Sequence, residues 1–337
     1  MPAPATTHHL PVDRRISLMG TDVRIVVGPP ARPGLAPPGA AADAVESFLR
    51  EYDATLSRFR PDSELTLLNA DPRETVPATD LLRDAVSAAL WAAERTGGLV
   101  DPTILDDLED VGYVESWDPA RRLELRAALD GERPAPRPGH RDTDDRWRLI
   151  SVDDEAGTIT RPPGLRIDTG GTGKGHAAQR AGDLLAGFDA WAVDCGGDLR
   201  IGGDAGLVRD VEVEHPFTGA TLDTIQVRDG AVATSGLRSR IWRAADGAVR
   251  HHLLDPATGE PAFTGLVAVT ALAPSTVEAE ALAKAALLSG PDGARSVLQR
   301  YGGIAVAEDG TPDRIGRLEP APRVRLRVTP PSARSAA

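Results

Sequence analysis

Residues 166–176 read RIDTGGTGKGH, and the organisation of the chain can be worked out from this stretch outward. It predicts a strand that ends at Asp168, a glycine-rich turn, then Lys174 and an alanine-rich helix over about 175–185. Backbone N–H groups in such a turn, together with the positive end of the helix, suit an anionic phosphate. The turn is not a Walker A loop, because Asp168 stands where its first glycine is required. A tight strand-to-helix connection without a ligand is the alternative.

The segments around this turn predict the fold class. From Trp147 onward the chain consists of short β-rich runs separated by Gly, Asp and Pro turns, with helices at about 175–185 and 277–288. Before it, the sequence predicts a strand at 21–27 and helices at 41–56, 80–95 and 119–129. Strands outnumber helices and do not alternate with them regularly. This pattern favours an α+β fold with mixed, largely antiparallel sheets and packed helices over a doubly wound parallel sheet.

Length and composition limit the possible functions. We expect one domain over 15–328, with flexible tails at 1–14 and 329–337 and a charged, proline-rich loop at about 130–146. The formal net charge of -12 argues against a general nucleic-acid binder. A single cysteine, Cys195, excludes an intrachain disulfide framework, and its acidic neighbours favour a small core residue over a nucleophile. No signal peptide or membrane span is evident, so a cytoplasmic protein is expected.

Lysine usage singles out two positions. The chain has 38 basic residues, but only Lys174 and Lys284 are lysines. Lysine carries a compact point charge, whereas arginine carries a planar fork, and the two are not interchangeable at a crowded phosphate site. Because both lysines fall in segments of interest for other reasons, we expect them to have a function.

A second candidate segment is RHHLLDPATG at 250–259. Two adjacent histidines could suggest a metal, but neighbouring strand residues point to opposite faces and no further His stands at ligand spacing. One histidine that acts as a base or hydrogen-bond donor is more plausible. A strand followed by an ordinary turn explains the same residues without chemistry.

Seven motifs in sequence order together resemble the FAD:protein FMN transferase (ApbE-like) family. They are MGT at 19–21, LSRFRPDSEL at 56–65 with LN at 68–69, GLVDPT at 98–103, DTGGTGKG at 168–175, CGGD at 195–198, ATSG at 233–236 and HLLDPATG at 252–259. The resemblance covers nearly the whole chain and implies a T-fold-like core. It implies that FAD binds, that a Thr or Ser hydroxyl of a target protein attacks its pyrophosphate, and that FMN is transferred while AMP leaves.

The resemblance also implies roles for individual residues. The adenine and ribose side of FAD would be lined by Met19, Phe59, Leu99, Val100 and Asp101. Asp168 and Lys174 would lie near the phosphates and the flavin, Leu254 beside the flavin ring, and His252 would be the base, with Asp168 and Lys284 as further catalytic residues.

Two departures from the family pattern stand out. Phe59 replaces a tyrosine, which keeps aromatic stacking but removes a phenol hydrogen bond. The segment VEAEALAK at 277–284 matches the family's metal motif, in which an Asp and a Thr bind Mg²⁺ together with backbone oxygens of the glycine-rich turn. Here Glu280 replaces the Asp and Lys284 the Thr. A magnesium site at Gly171 and Glu280 is therefore in doubt, and Lys284 is expected to supply part of the cation's charge.

Three functions remain open from the sequence. Transfer of FMN to a flavin-acceptor protein with a Thr or Ser target motif is the first. A non-catalytic FAD-binding or carrier protein and an FAD pyrophosphohydrolase that yields FMN and AMP are the alternatives. The segment TGAT at 218–221 resembles the family's short target motif and raises the hypothesis of self-flavinylation at Thr221, although a β-turn between two strands is the favoured explanation of the same residues.

Overall fold

The computed structural model of the protein describes residues 10–131, 133–316 and 318. Its α-helices are α1 Pro38–Leu56, α2 Glu64–Ala70, α3 Asp80–Thr96, α4 Leu105–Asp110, α5 Leu125–Leu129, α6 Gly173–Asp183, α7 Thr276–Leu288 and α8 Gly290–Leu298. Short 3₁₀ turns occur at Pro119–Arg121 and Arg146–Leu149. Within the described ranges, no helix has the length and apolar character needed to cross a membrane.

Strands make up most of the remaining regular structure. They are β1 Val12–Leu18, β2 Thr21–Val27, β3 Thr75–Pro77, β4 Ser151–Asp153, β5 Thr158–Thr160, β6 Trp191–Cys195, β7 Asp198–Gly202, β8 Arg209–Glu214, β9 Thr221–Val227, β10 Gly230–Gly236, β11 Ile241–Arg243, β12 Val249–His251, β13 Leu254–Asp255, β14 Glu260–Pro261, β15 Leu266–Ala273, β16 Gly303–Ala307 and β17 Pro312–Ile315. The main sheet has the order β1-β2-β6-β7-β10-β15-β16-β17, and each neighbouring pair is antiparallel. The α+β prediction is confirmed.

Four helices lie side by side on the main sheet. α1 packs on β1 and β2, α6 on β6 and β7, α7 on β10 and β15, and α8 on β15 and β16. Nearly every residue of α7 is buried, because α3, α6, α8 and the sheet surround it. Its alanines allow close packing, and at Gly175 α6 approaches α7 so closely that a Cβ atom would lie 2.7 Å from the carbonyl oxygen of Thr276. This contact fixes α6 and α7 relative to each other at the end of the glycine-rich turn.

Most predicted elements form near their predicted positions. The 80–95 helix appears as α3, capped by the Thr79 hydroxyl and ended by Gly97 at φ 63°. The 119–129 helix is divided into a 3₁₀ turn and α5. Helices α2, α4 and α8 were not predicted.

Two expectations need correction. The strand expected to end at Asp168 is not a strand, because its hydrogen bonds go elsewhere: the Asp168 N–H donates to the Pro102 carbonyl and the Ile167 N–H to the Asn69 side chain. Strand β1 begins at Val12, inside the stretch expected to be a tail, and pairs with β2 along its whole length. Residues 1–9 and the expected tail at 329–337 lie outside the described residues.

Candidate active site

A cavity of about 390 Å³ lies beside the glycine-rich turn at the start of α6. Eleven of the twelve residues predicted for the site line it, namely Met19, Phe59, Leu99, Val100, Asp101, Asp168, Gly171, Lys174, His252, Leu254 and Lys284. The twelfth, Glu280, is fully buried behind the wall of the cavity. Segments more than 200 residues apart in sequence therefore meet at one place, as the motif order predicts.

The tight β1–β2 turn places Met19 at the cavity. Met19 and Gly20 both have positive φ, 54° and 65°, and connect the directly paired Leu18 and Thr21. Two successive positive φ values are typical of the hairpin turn that matches the twist of antiparallel strands. A methionine rarely adopts this conformation. The pairing of β1 with β2 over seven residues holds the strained turn in place.

A cluster of aromatic side chains forms one wall of the cavity. The guanidinium of Arg58 lies 4.3 Å from the ring centre of Phe59 and 4.5 Å from that of Tyr113, so both rings make cation–π contacts with it. Tyr113 also packs against Trp117 and Trp242. The Phe59 and Tyr113 rings are inclined by 60° to each other, so the wall offers separate ring faces and edges for aromatic contacts.

Asp101 and Asp168 are the two aspartates of the predicted site that line the cavity. Oδ1 of Asp101 accepts hydrogen bonds from the backbone and the hydroxyl of Thr103, at 2.7 and 2.6 Å. Its Oδ2 is buried without a hydrogen-bond partner among the described residues, and burial raises the pKa of Asp101. Oδ1 of Asp168 accepts the N–H of Gly170 at 2.9 Å and so shapes the glycine-rich turn.

Both lysines of the chain meet a buried glutamate at the cavity. Nζ of Lys284 lies 2.7 Å from Glu280 Oε1, and Nζ of Lys174 lies 3.7 Å from the same oxygen. Lys174 also forms an ion pair with Asp198, the first residue of β7. Oε2 of Glu280 accepts the N–H of Gly175 at 2.8 Å. We call Lys174, Asp198, Glu280 and Lys284 the charge network.

Burial and charge determine protonation within the charge network. Burial, followed by the charge of Glu280, raises the pKa of Asp198 to about 7. Burial acts to raise the pKa of Glu280, but the ammonium groups of Lys284 and Lys174 outweigh it and lower that pKa. Burial acts to lower the pKa of Lys174, and the carboxylates of Asp198 and Glu280 raise it above its ordinary value. Near neutral pH Lys174 and Glu280 are therefore charged.

The two adjacent histidines occupy different environments. His251 is fully buried with its ring 4.8 Å from that of Phe263, whereas His252 lines the cavity. Nδ1 of His252 lies 3.4 Å from the carbonyl oxygen of Arg240. Because a carbonyl only accepts, Nδ1 carries the proton and Nε2 keeps a lone pair. Burial, followed by the charge of Arg240, holds the pKa of His252 well below its ordinary value, so the imidazole is neutral near pH 7.

Comparison with known proteins identifies the family. The model of the ApbE family matches residues 19–307. The chain belongs to the ApbE family. Its ApbE relatives include the FAD:protein FMN transferase of Treponema pallidum, 29% identical over 79% of this chain and 75% of that protein. The FAD:protein FMN transferase of Chlamydia trachomatis is 32% identical over 73% of this chain and 74% of that protein.

Solved structures agree with this assignment. The crystal structure of the ApbE protein from Thermotoga maritima superposes with a TM-score of 0.73 at 29% identity, covering 90% of this chain and 97% of that one. The apo form of the flavinyl transferase ApbE from Pseudomonas stutzeri has a TM-score of 0.69, with 90% and 94% coverage, and at 22% identity supports the fold alone. The arrangement of the main sheet and its helices is thus that of the ApbE fold.

The residues at the expected Mg²⁺ position do not fit a divalent cation. The two oxygens of Glu280 already accept hydrogen bonds from the Lys284 ammonium and the Gly175 N–H. Lys284 provides a positive charge where Mg²⁺ requires an oxygen donor. Within residues 10–131, 133–316 and 318, no group of three or more His, Cys, Asp or Glu side chains could hold a metal ion. In this ApbE chain Glu280 therefore pairs with an ammonium where the family pattern has a second oxygen ligand.

Sequence reasoning missed several residues that line the ApbE cavity or lie directly behind its wall. Arg58 and Asp198 lie inside quoted motifs, but no role was assigned to either. Tyr52 lines the cavity and its hydroxyl lies 3.0 Å from Nδ1 of His176, whose Nε2 lies 2.9 Å from Asp84. A buried lysine needs a buried carboxylate as its partner. The two lysines are therefore a sequence signal for a buried acid such as Asp198. No comparable signal points to Tyr52, because its partner is 124 residues away.

Proposed function

We propose that this protein transfers FMN from FAD to a Thr or Ser hydroxyl of a flavin-acceptor protein and releases AMP. The observation that carries the proposal is the cavity, which combines an aromatic wall, a glycine-rich turn, two ammonium groups and a neutral histidine. Relatives that align over about three quarters of their own length are named FAD:protein FMN transferases.

In this proposal the walls of the cavity bind the parts of FAD separately. Met19, Phe59, Leu99, Val100 and Asp101 lie on the adenine and ribose side. Leu254 lies beside the flavin ring. The pyrophosphate lies against the turn that Asp168 shapes, close to Lys174 and Lys284.

The transfer step exchanges one phosphorus–oxygen bond for another. The acceptor hydroxyl oxygen bonds to the FMN phosphorus, and the bond from that phosphorus to the oxygen bridging it to AMP breaks. Nε2 of His252 takes the hydroxyl proton, and the departing AMP keeps the bridging oxygen and its electron pair. The ammonium groups stabilise the negative charge that develops on the phosphates.

Incubation with FAD and a flavin-acceptor domain tests the proposal. Fluorescent flavin that stays on the acceptor under denaturing conditions, with one AMP released per flavin, is the expected result. AMP with free FMN would instead show hydrolysis, and FAD binding without AMP would show a carrier.

Variants at the two histidines make the test specific. His252→Ala should lower the transfer rate at least 100-fold while FAD still binds, because only His252 reaches the cavity. The matched control His251→Asn should retain transfer, since Asn keeps the hydrogen-bond acceptor that Nδ1 of His251 offers to the Leu253 N–H. Loss of transfer in His251→Asn but not in His252→Ala would contradict the assignment of the base.

A further inference from the structure

The only lysines of the chain converge on one carboxylate at the edge of the cavity. Arginine makes up 36 of the 38 basic residues, yet both contacts of Glu280 with a cationic side chain involve lysine. A fork-shaped guanidinium could not replace a point charge between two packed helices. The pairing of Lys284 with Glu280 is also not a solvent-exposed surface pair, because the side chains are 12% and 0% exposed.

The orientation of these pairs directs positive charge toward the cavity. Lys174 and Lys284 line the cavity, whereas their partners Asp198 and Glu280 lie behind them and are almost completely buried. Each ammonium has three N–H donors, and the nearest carboxylate uses one of them. Donors therefore remain for phosphate oxygens that enter beside the turn.

A divalent cation would be unfavourable at the same place. Two ammonium groups already lie within 3.7 Å of Glu280 Oε1, and like charges at such distances repel strongly in a buried setting. The hydroxyl-type donor that would complete an oxygen site is replaced by the Lys284 ammonium. The charge network thus fills the position at which the family pattern places a metal.

We infer that this protein handles the pyrophosphate of FAD without a divalent metal, and that Lys284 provides the cationic charge at that position. The inference rests on the proposed function for its substrate. In the transfer step the ammonium groups neutralise the charge of the departing AMP, and no metal ion takes part. Lys284 is then a catalytic residue, because it contacts the phosphates of the substrate.

The first test uses the wild-type protein and needs no variant. FAD affinity is measured from the change in flavin fluorescence, and transfer to an acceptor domain from covalent flavin, each in 5 mM EDTA and in 5 mM Mg²⁺. We expect both quantities to agree within about twofold between the two conditions. Transfer or FAD binding that is lost in EDTA and restored by Mg²⁺ would overturn the inference while leaving the proposed function intact.

Two variants at Lys284 should differ in their response to Mg²⁺. Lys284→Met removes the charge at similar length and should weaken FAD binding at least tenfold in either condition. Lys284→Thr restores an oxygen donor beside Glu280, and Mg²⁺ should recover its FAD affinity at least partly. Thermal unfolding of each variant shows whether it folds. A folded Lys284→Met protein with wild-type FAD affinity would overturn the inference.

Measurements of FAD binding and of turnover distinguish a failure of this inference from a failure of the proposed function. If FAD binds equally well in EDTA and Mg²⁺ and depends on Lys284, but no AMP or covalent flavin forms, the proposed function fails and the role of Lys284 in binding the phosphates stands. If FAD binds in neither condition, both fail. Manganese titration followed by electron paramagnetic resonance gives a direct readout, because the signal of free Mn²⁺ should stay unchanged when FAD-loaded wild-type protein is added.

Discussion

The substitution Gly175→Ala tests the contact that joins the glycine-rich turn to α7. An ideal Cβ at this position would lie 2.7 Å from the Thr276 carbonyl oxygen and 2.8 Å from Glu280 Oε2. Real Cβ atoms essentially never come within 3.0 Å of such neighbours, so α6 and α7 must separate by at least a few tenths of an ångström. Both neighbours are rigid: one is backbone, and the other is held by Lys284.

The expected cost follows from two opposing effects. Inserting a methyl group into a packed interface typically costs about 1–3 kcal/mol. Replacing glycine by alanine at a compatible backbone conformation stabilises a protein by about 0.4–1 kcal/mol through the unfolded chain. Gly175→Ala should therefore lower the free energy of unfolding by about 1–2 kcal/mol.

Gly173→Ala is the matched control on the same helix. Its Cβ would have the Tyr52 hydroxyl as nearest neighbour, at an ordinary 3.8 Å, so the gain of up to about 1 kcal/mol should remain. The two variants should differ by about 2 kcal/mol in the free energy of unfolding, measured by urea denaturation followed by circular dichroism. A Gly175→Ala protein as stable as Gly173→Ala would refute the argument that α6 and α7 are in contact at Gly175.

Two further predictions concern the remaining motifs. Burial lowers the pKa of His251 to about 3, so the unfolded chain takes up a proton that the folded protein does not, and stability falls as the pH drops from about 6.5 toward 3. The free energy of unfolding of the wild-type protein should fall between pH 7 and pH 5, and in His251→Asn this fall should be smaller by about 2 kcal/mol. Urea denaturation at both pH values measures it, and an equal fall in the two proteins would contradict the prediction. Incubation with FAD should leave the intact mass unchanged, because the hydrogen bonds from His215 N–H to the Ala220 carbonyl and from Gly219 N–H to the His215 carbonyl explain the segment before Thr221 as a hairpin turn. A mass increase of one FMN that disappears in Thr221→Ala would instead show self-flavinylation.

The sequence predicted the elements whose boundaries are local. Strands such as β10 and β15 lie between glycine or proline signals and consist of small and β-branched residues, which indicate a buried strand without further information. Helix α3 carries both its capping residue and its terminal glycine in sequence. Strand β1 was missed because charged residues interrupt it and its pairing with β2 depends on the unusual turn at Met19.

The sequence could not predict features that depend on distant partners. Residues 165–169 have the composition of a strand, but the Ile167 N–H bonds to a side chain 98 residues earlier. Similarly, motif order placed Lys174 and Lys284 in the site, but neither motif shows that they share Glu280. Asp198 lies 24 residues from Lys174, at the start of a strand on which an aspartate would usually be a surface residue. The charge network therefore emerges only when β7, α6 and α7 are packed together.

Glu280 and Lys284 are best understood as one coupled change. A lysine at 284 without a carboxylate nearby would place an unpaired ammonium beside Lys174, and breaking a buried ion pair by removing one partner typically costs about 3–5 kcal/mol. The carboxylate of Glu280 reaches both the Lys284 ammonium at 2.7 Å and the Gly175 N–H at 2.8 Å, so it also holds the start of α6 in place. Removal of Glu280 alone leaves the Lys284 ammonium without its carboxylate, and removal of Lys284 alone leaves Glu280 with Lys174 at 3.7 Å. Removal of both leaves Lys174 paired with Asp198. Pairing with Glu280 therefore holds the Lys284 ammonium at the cavity, where it provides the cationic charge.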